Sequence, residues 1–587
     1  VIYWELSKDE LLNRKYELLL ELQGCLEDLE EIDNVYSHKT ESLDIIKNSQ
    51  EIIAWIEKYE EICERASSVY QVIYLLYSTH MKDSDCEKLY NLCKKKIEKV
   101  RLYNEKIKRF FTLQLDEKIK EAMKRTSYKK YKYYIEKIYL EKQHTVSKDM
   151  ENILSQVKVY AMKAAGELYS QITNRYKYSI NINGKTKKLS FPEIVPLFKD
   201  TNRNIRKSAK QGFIDRYKQD DWLITNIYNN MVQCNNIQRQ IKRFKSPISI
   251  KNSENNIEDY IVKMAIEIIT DYNGLVQNYY DWKSKILGYK MEHWDTTASL
   301  KKLQERYSIK EAEEILLETF YQFDNEFGNI AKAFFVEKRI DSSITDDKRK
   351  GAFCFSALPD YKPYISVNFN GKVEDVITLA HELGHGIHKT FCSRENYLNY
   401  SPSLVISETA AGFCELLVID RLNNYLYEED KNKLLITKLE NFILPIFTMN
   451  LITRFEINAH KEIVKNGFLS FEELCELYIK EWNRVYGDSV HLSKEVYYYW
   501  MIYPHIFKDP FYMYSYSLAN MLSVAVYYLN MQRGKNFVKK YKELLSSGCN
   551  NSTPNLLSII GIEMADKKFW DDIFTTLKNE FFKKIIK

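Results

Sequence analysis

Val373-Glu-Asp-Val-Ile-Thr-Leu-Ala-His-Glu-Leu-Gly-His-Gly-Ile-His-Lys-Thr390 contains the five-residue motif His381-Glu382-Leu383-Gly384-His385, and the rest of the chain reads outward from it. On an α-helix, side chains at i and i+4 stand on one face, about 5.4 Å of rise apart, so both imidazoles can reach a single metal ion. Glu382 follows the first histidine and points to its side, where a carboxylate serves water as general base without itself binding the ion. The pattern predicts a zinc site of hydrolytic type, with a peptide carbonyl as the expected target. Val376, Ile377, Leu379, Ala380 and Leu383 give the helix an apolar face. Gly384 and Gly386 let another segment approach closely, despite their cost to helix formation.

An open catalytic zinc site needs a third protein ligand. A third histidine six residues after His385 is excluded, because position 391 is Phe. His388, three residues on, reads as a packing or supporting histidine. Glu408, in Ile406-Ser407-Glu408-Thr409-Ala410-Ala411-Gly412-Phe413-Cys414-Glu415, is the better candidate. Its neighbours are small, so a second helix can lie tightly against the first and deliver a carboxylate beside the imidazoles. Glu415, two turns further along the same face, reads either as the acceptor for a ligand histidine or as an ordinary salt-bridge partner.

Beyond the motif, Gly351-Ala352-Phe353-Cys354, Lys362-Pro363-Tyr364-Ile365-Ser366-Val367-Asn368-Phe369, Thr378–His385 and Ser407–Ala411 together resemble the oligoendopeptidase F family. That family lies among the thimet-oligopeptidase-like zinc peptidases. Asp200–Arg206 with Ala209 also resembles a segment of it. The resemblance implies a cytoplasmic, mainly α, zincin-like metallopeptidase that cuts short peptides in a deep substrate channel, with one zinc ion per chain. His381, His385 and Glu408 are then the metal ligands and Glu382 the general base. A further resemblance lies in Tyr503-Pro504-His505-Ile506-Phe507-Lys508-Asp509-Pro510-Phe511-Tyr512-Met513-Tyr514-Ser515-Tyr516, which is similar to the family's transition-state-binding segment. Hydrolysis builds negative charge on the carbonyl oxygen, and fixed O–H or N–H donors stabilise it. His505 and Tyr512 are the expected donors, with Tyr514 or Tyr516 as alternatives to Tyr512.

Composition narrows the class. The chain has 587 residues, 45% hydrophobic and 28% charged, ample for a deep core. A net charge of +5 on a chain this long offers no argument for a nucleic-acid partner, and clusters such as Lys94-Lys95-Lys96 and Lys129-Lys130 read as solvated helix faces. Ten scattered cysteines without a Cys-x-x-Cys pair suggest reduced thiols, as in a cytoplasmic protein. Val1-Ile-Tyr-Trp-Glu-Leu-Ser7 shows no signal-peptide pattern, and no window approaches 18 uninterrupted apolar residues, so no membrane partner is expected.

Two regions are expected: an N-terminal helical lobe over 1–190 ending in a β-hairpin, and a catalytic helical domain over 191–587. Residues 1–191 lack proline and carry three glycines, which predicts long helices. Apolar stripes are read at Leu11, Leu12, Tyr16, Leu19, Leu20 and Leu26, and at Ile52, Ile53, Ile56, Tyr59, Ile62 and Val69. Tyr178, Ile180 and Ile182 alternate before Asn183-Gly184, predicting a hairpin that returns over Lys185–Phe191. Ser308 with Glu311 forms a capping box opening a helix to about 335. Residues 350–371 read as two short strands of a small sheet beside the metal helix; one edge is either free to pair with substrate backbone or fully paired internally. The expected function is a zinc endopeptidase acting on short peptides. The alternatives are a zinc carboxypeptidase and a non-catalytic helical peptide-binding protein.

Overall fold

The computed structural model describes residues 8–36, 39–40, 42–182, 184–300, 306–426 and 428–585. Nearly all its elements are helices, and five short strands complete it. The chain forms two compact units, one from Val1–Thr145, Glu305–Leu422 and Val526–Gly561, the other from Val146–Gln304, Asn423–Ala525 and Ile562–Lys587. Each unit draws on three separated stretches, and the first 190 residues contribute to both. The N-terminal heptapeptide read for a signal pattern lies outside the described residues, as does Asn183 of the hairpin turn.

In the first unit, the N-terminal helices Lys15–Tyr36, Ser49–Thr79 and Ser84–Leu102 pack around one apolar core. The stripe read in the sequence matches the buried face only in part: Leu11 is buried, and Leu12, Leu19 and Leu26 pack half-buried against the core. Leu18, Leu22, Cys25, Leu29, Ile32 and Tyr36 are buried, while Tyr16 and Leu20 are 70% and 69% exposed. The buried seam alternates four- and three-residue steps and includes a cysteine, a small hydrophobe the stripe reading passed over. The second helix buries Ile52, Ile56, Tyr59, Ile62 and Val69 as expected. Trp55 stacks on Tyr36 at 4.9 Å and donates its indole N–H to the Tyr103 hydroxyl at 3.2 Å.

The Ser308 capping box is present, but the helix it opens, Ile309–Phe323, stops short of 335. Asp324 interrupts it, extended in backbone, and its carboxylate accepts the amides of Glu326 and Phe327 to start a new helix, Asn325–Val336. An aspartate that satisfies the orphan N–H groups of a following helix is a strong local break. The small sheet comes next: β3 (Ile340–Asp341), β4 (Phe353–Phe355) and β5 (Tyr364–Ser366), in the order β3-β5-β4. β5 pairs parallel with β3 and antiparallel with β4, so β5 is central and β4 is an edge. β3, two residues long, leaves no periodicity for sequence reading to find. Buried Lys348 donates to the carbonyls of Asp341, Ser343 and Val367 at 2.9–3.0 Å, tying the loop across the sheet.

The second unit contains the hairpin β1 (Tyr178–Ile182) and β2 (Lys185–Leu189), antiparallel with Tyr178 opposite Leu189. Gly184 has φ of 79°, which the tight turn requires. Tyr178 stacks on Phe213 of the helix Arg203–Lys218 at 5.0 Å. Arg206 of that helix, 1% exposed, pairs with the fully buried Asp295 at 2.6 Å, and Arg203 joins at 2.8 Å. Among the described residues, one helix, Asp430–Asn466, has the length and apolarity of a membrane span, and 53% of its apolar window is buried inside the protein.

Candidate metal centre and active-site residues

The helix Val373–Cys392 carries the motif, and the helix Leu404–Leu422 lies against it. Their approach depends on Gly384. A Cβ there would sit 2.8 Å from Ala411 Cα and 3.1 Å from Cys414 Cβ, closer than atoms pack without displacement. Gly386 is likewise closed over, by the ring of Phe334. The two glycines and the small residues after Glu408 therefore serve the close approach that their types imply.

That contact brings three donors together. His381 Nε2 and His385 Nε2 are 3.1 Å apart, and Glu408 Oε2 lies 3.6 Å from the first and 3.9 Å from the second. All three ligand atoms fall within 4.8 Å of one another, and among the described residues this is the one such cluster. The opposite ring nitrogens are engaged elsewhere. His381 Nδ1 meets Glu415 Oε1 at 2.5 Å, and His385 Nδ1 meets the Ser407 hydroxyl at 3.2 Å. In the tautomers that place each Nδ1 hydrogen on its oxygen partner, each Nε2 is left as a lone-pair donor for a metal ion. A tetrahedral ion with bonds of about 2.0–2.2 Å spaces its ligands about 3.3–3.6 Å apart, so this donor set suits zinc.

The electrostatics bear the marks of crowding. Burial opposes charge on His381, but the hydrogen bond it donates to Glu415 and the carboxylates of Glu415, Glu382 and Glu408 outweigh it and raise its pKa to about 9. Burial, with His381, His388 and Lys389 adding to it, holds His385 well below the ordinary range. Glu382 is 6% exposed, and burial raises its carboxyl to about 7 against the charge of His381. The backbone amide of Cys354 on edge strand β4 also favours the charged carboxylate, and Glu382 Oε2 lacks a partner among the described residues. Burial likewise raises Glu408. His388 is fully buried with neither ring nitrogen partnered among the described residues, and burial lowers it to about 3, so it packs as a neutral ring.

One supporting contact escaped sequence reasoning: Ser407 on His385. Ser407 directly precedes Glu408, which is the signal that was available.

His505 and Tyr512 belong to the second unit. Their rings stack, with centroids 5.3 Å apart and planes within 1°. The Tyr512 hydroxyl is 3.0 Å from that of Tyr516. Tyr514 is 2% exposed, and Asn255 donates to its hydroxyl at 2.7 Å, which fixes it in the core.

A helical protein with a His-Glu-x-x-His helix and a carboxylate from a second helix has the frame of a zincin-type metallohydrolase. The profile of Peptidase family M3 matches residues 197–576, and that of Oligopeptidase F matches residues 113–178. The chain belongs to peptidase family M3 and is a metallopeptidase. It is 26% identical over 524 residues to an oligoendopeptidase F homolog of Borreliella burgdorferi, covering 87% of each chain. It is 24% identical to the oligopeptidase PepF of Bacillus subtilis, over 74% of this chain and 66% of that one. In fold it is similar to the crystal structure of oligoendopeptidase-F from Enterococcus faecium, with a TM-score of 0.71, 18% identity and 99% of both chains covered.

Proposed function

We infer that this protein is a zinc-dependent endopeptidase that hydrolyses internal bonds of short oligopeptides in the cytoplasm. The observation that carries the reading is the meeting of His381 Nε2, His385 Nε2 and Glu408 Oε2 within 4.8 Å, a His₂Glu set of the composition that would hold a catalytic zinc ion. Ten cysteines, all free, suit a reducing compartment.

Zinc, when bound by these three residues, supplies Lewis acidity, polarising a carbonyl and lowering the pKa of water. Glu382 takes the proton of the attacking water and returns it to the leaving amine. Its Oε2, unpartnered among the described residues, remains available to the proton. Glu415 holds His381 through Nδ1, which keeps Nε2 aimed as a ligand. On the resemblance of residues 503–516, His505 and Tyr512 donate hydrogen bonds to the developing oxyanion. Tyr512 is favoured over Tyr514, whose hydroxyl is buried on Asn255.

The test is Glu382→Gln, assayed with an internally quenched peptide blocked at both ends. Cleavage is expected to fall about 10²–10⁴-fold, with one zinc per chain retained. Full activity in this variant would refute the mechanism. Cleavage only of peptides with a free C-terminus would make the enzyme a carboxypeptidase instead.

A further inference from the structure

Glu456 is a carboxylic acid in the core of the second unit with no place in the chemistry above. It is fully buried on the helix Leu444–Asn466, its Oε1 accepts the amide hydrogen of Phe511 at 2.9 Å, and its Oε2 lacks a partner among the described residues. Burying an acid is costly, and this one is used on a single backbone N–H. Phe511 explains why that N–H matters. Its φ is +62°, a left-handed conformation that glycine adopts freely and a bulky residue avoids. One turn along the same helix from Glu456, His460 packs its ring on that of Phe511 at 4.6 Å. Residue 511 is thus gripped by backbone and ring from one helix, in a conformation that sets the direction of residue 512.

The preceding residues are held as firmly. Lys251, largely buried, pairs with Asp509 at 2.7 Å. A Cβ on Gly166 would lie 2.8 Å from the Phe507 carbonyl oxygen and 3.1 Å from Lys508 Cα, so the helix Ala164–Asn174 walls the backbone there. Tyr169 of that helix stacks on Phe507 at 4.0 Å. Residues 507–511 are therefore fixed from three elements, immediately before the phenol assigned to the oxyanion.

We propose that Glu456 is a positioning residue for Tyr512: by accepting the Phe511 amide hydrogen it holds the left-handed turn that aims the Tyr512 hydroxyl, with Lys251–Asp509 as a second anchor. The inference rests on the assignment of Tyr512 as an oxyanion donor. It concerns kcat rather than substrate capture, because the oxyanion exists only as the reaction proceeds.

The experiment is a double-mutant cycle on the zinc-loaded full chain, with kcat and KM measured separately for wild type, Glu456→Leu, Tyr512→Phe and the pair. Tyr512→Phe is expected to lower kcat about 10²-fold, the effect of losing one oxyanion donor. Glu456→Leu is expected to lower kcat about 10- to 100-fold with KM little changed, as a misplaced group does. In the Tyr512→Phe background the same substitution is expected to cost less than about threefold, because the group it aims is gone. Glu456→Gln, which keeps the acceptor oxygen, is expected to recover most of the kcat lost in Glu456→Leu. Equal losses in both backgrounds, or no loss in wild type, would overturn the clamp. An unaltered kcat in Tyr512→Phe would instead remove the oxyanion assignment and the clamp with it. Should Glu456→Leu fail to fold, Asp509→Asn, at a half-exposed position, carries the same cycle with a smaller kcat loss; additive losses there are the overturning result.

Discussion

His381 Nδ1 lies 2.5 Å from Glu415 Oε1, so the first histidine of the motif is held from two turns further along the helix that also delivers Glu408. In the proposed site one helix thus supplies a ligand and orients another. A carboxylate at the second ring nitrogen fixes the tautomer and strengthens the ligand. Glu415→Ala is expected to weaken zinc binding about 10- to 100-fold, measured by competition with a chromogenic chelator, while the protein stays folded. Unchanged affinity would make Glu415 a bystander.

The approach of the two helices at Gly384 is similarly testable. Gly384→Ala puts a methyl carbon against Ala411 Cα, a backbone atom that cannot turn aside. Overpacking of this kind costs about 1–3 kcal/mol, visible as a lowered denaturation midpoint. Zinc affinity is expected to fall with it, because the displaced helix carries Glu408.

In the second unit, Asp295 is buried between Arg206 and Arg203. Asp295→Asn leaves the guanidinium of Arg206 buried without its counter-charge, and a loss of about 3–5 kcal/mol in unfolding free energy is expected. Adding Arg206→Met to that variant is expected to recover part of the loss, since the stranded charge is then removed.

Glu456 gives stability a pH dependence of definite sign. Burial, with the charge of Asp509, raises its folded-state pKa to about 8, against the Phe511 amide and Lys251; the ordinary value is 4.5. Below pH 4.5 both states are protonated and the group contributes nothing. Between 4.5 and about 8 the unfolded chain releases the proton while the folded chain keeps it, so stability falls as pH rises, by up to about 1.4 kcal/mol per unit. Glu456→Gln is expected to flatten that slope in denaturant titrations across this range and to be the more stable protein near pH 8. An identical pH profile for the two would show that Glu456 ionises normally.

The legible parts of this protein are those governed by short spacing. The i, i+4 histidines, Glu382 between them, the small residues around Glu408 and the Ser308 capping box all follow from helical geometry over a few residues, and each is found as read. Helix phase was less secure. Tyr16 and Leu20 of the expected stripe are solvent-exposed, because the buried seam uses Cys25 and is chosen by the neighbouring helices rather than by hydropathy alone.

By itself the sequence determined a mainly helical chain and the residue types of a His₂Glu site, since both are properties of local periodicity and side-chain chemistry. Tertiary structure alone decided that Glu415 grips His381, that Ser407 meets His385, and that Glu456 holds Phe511 from 55 residues away in the chain. These contacts join segments that meet only when helices pack at close range, and packing depends on the summed shape of many side chains. No window of sequence contains it.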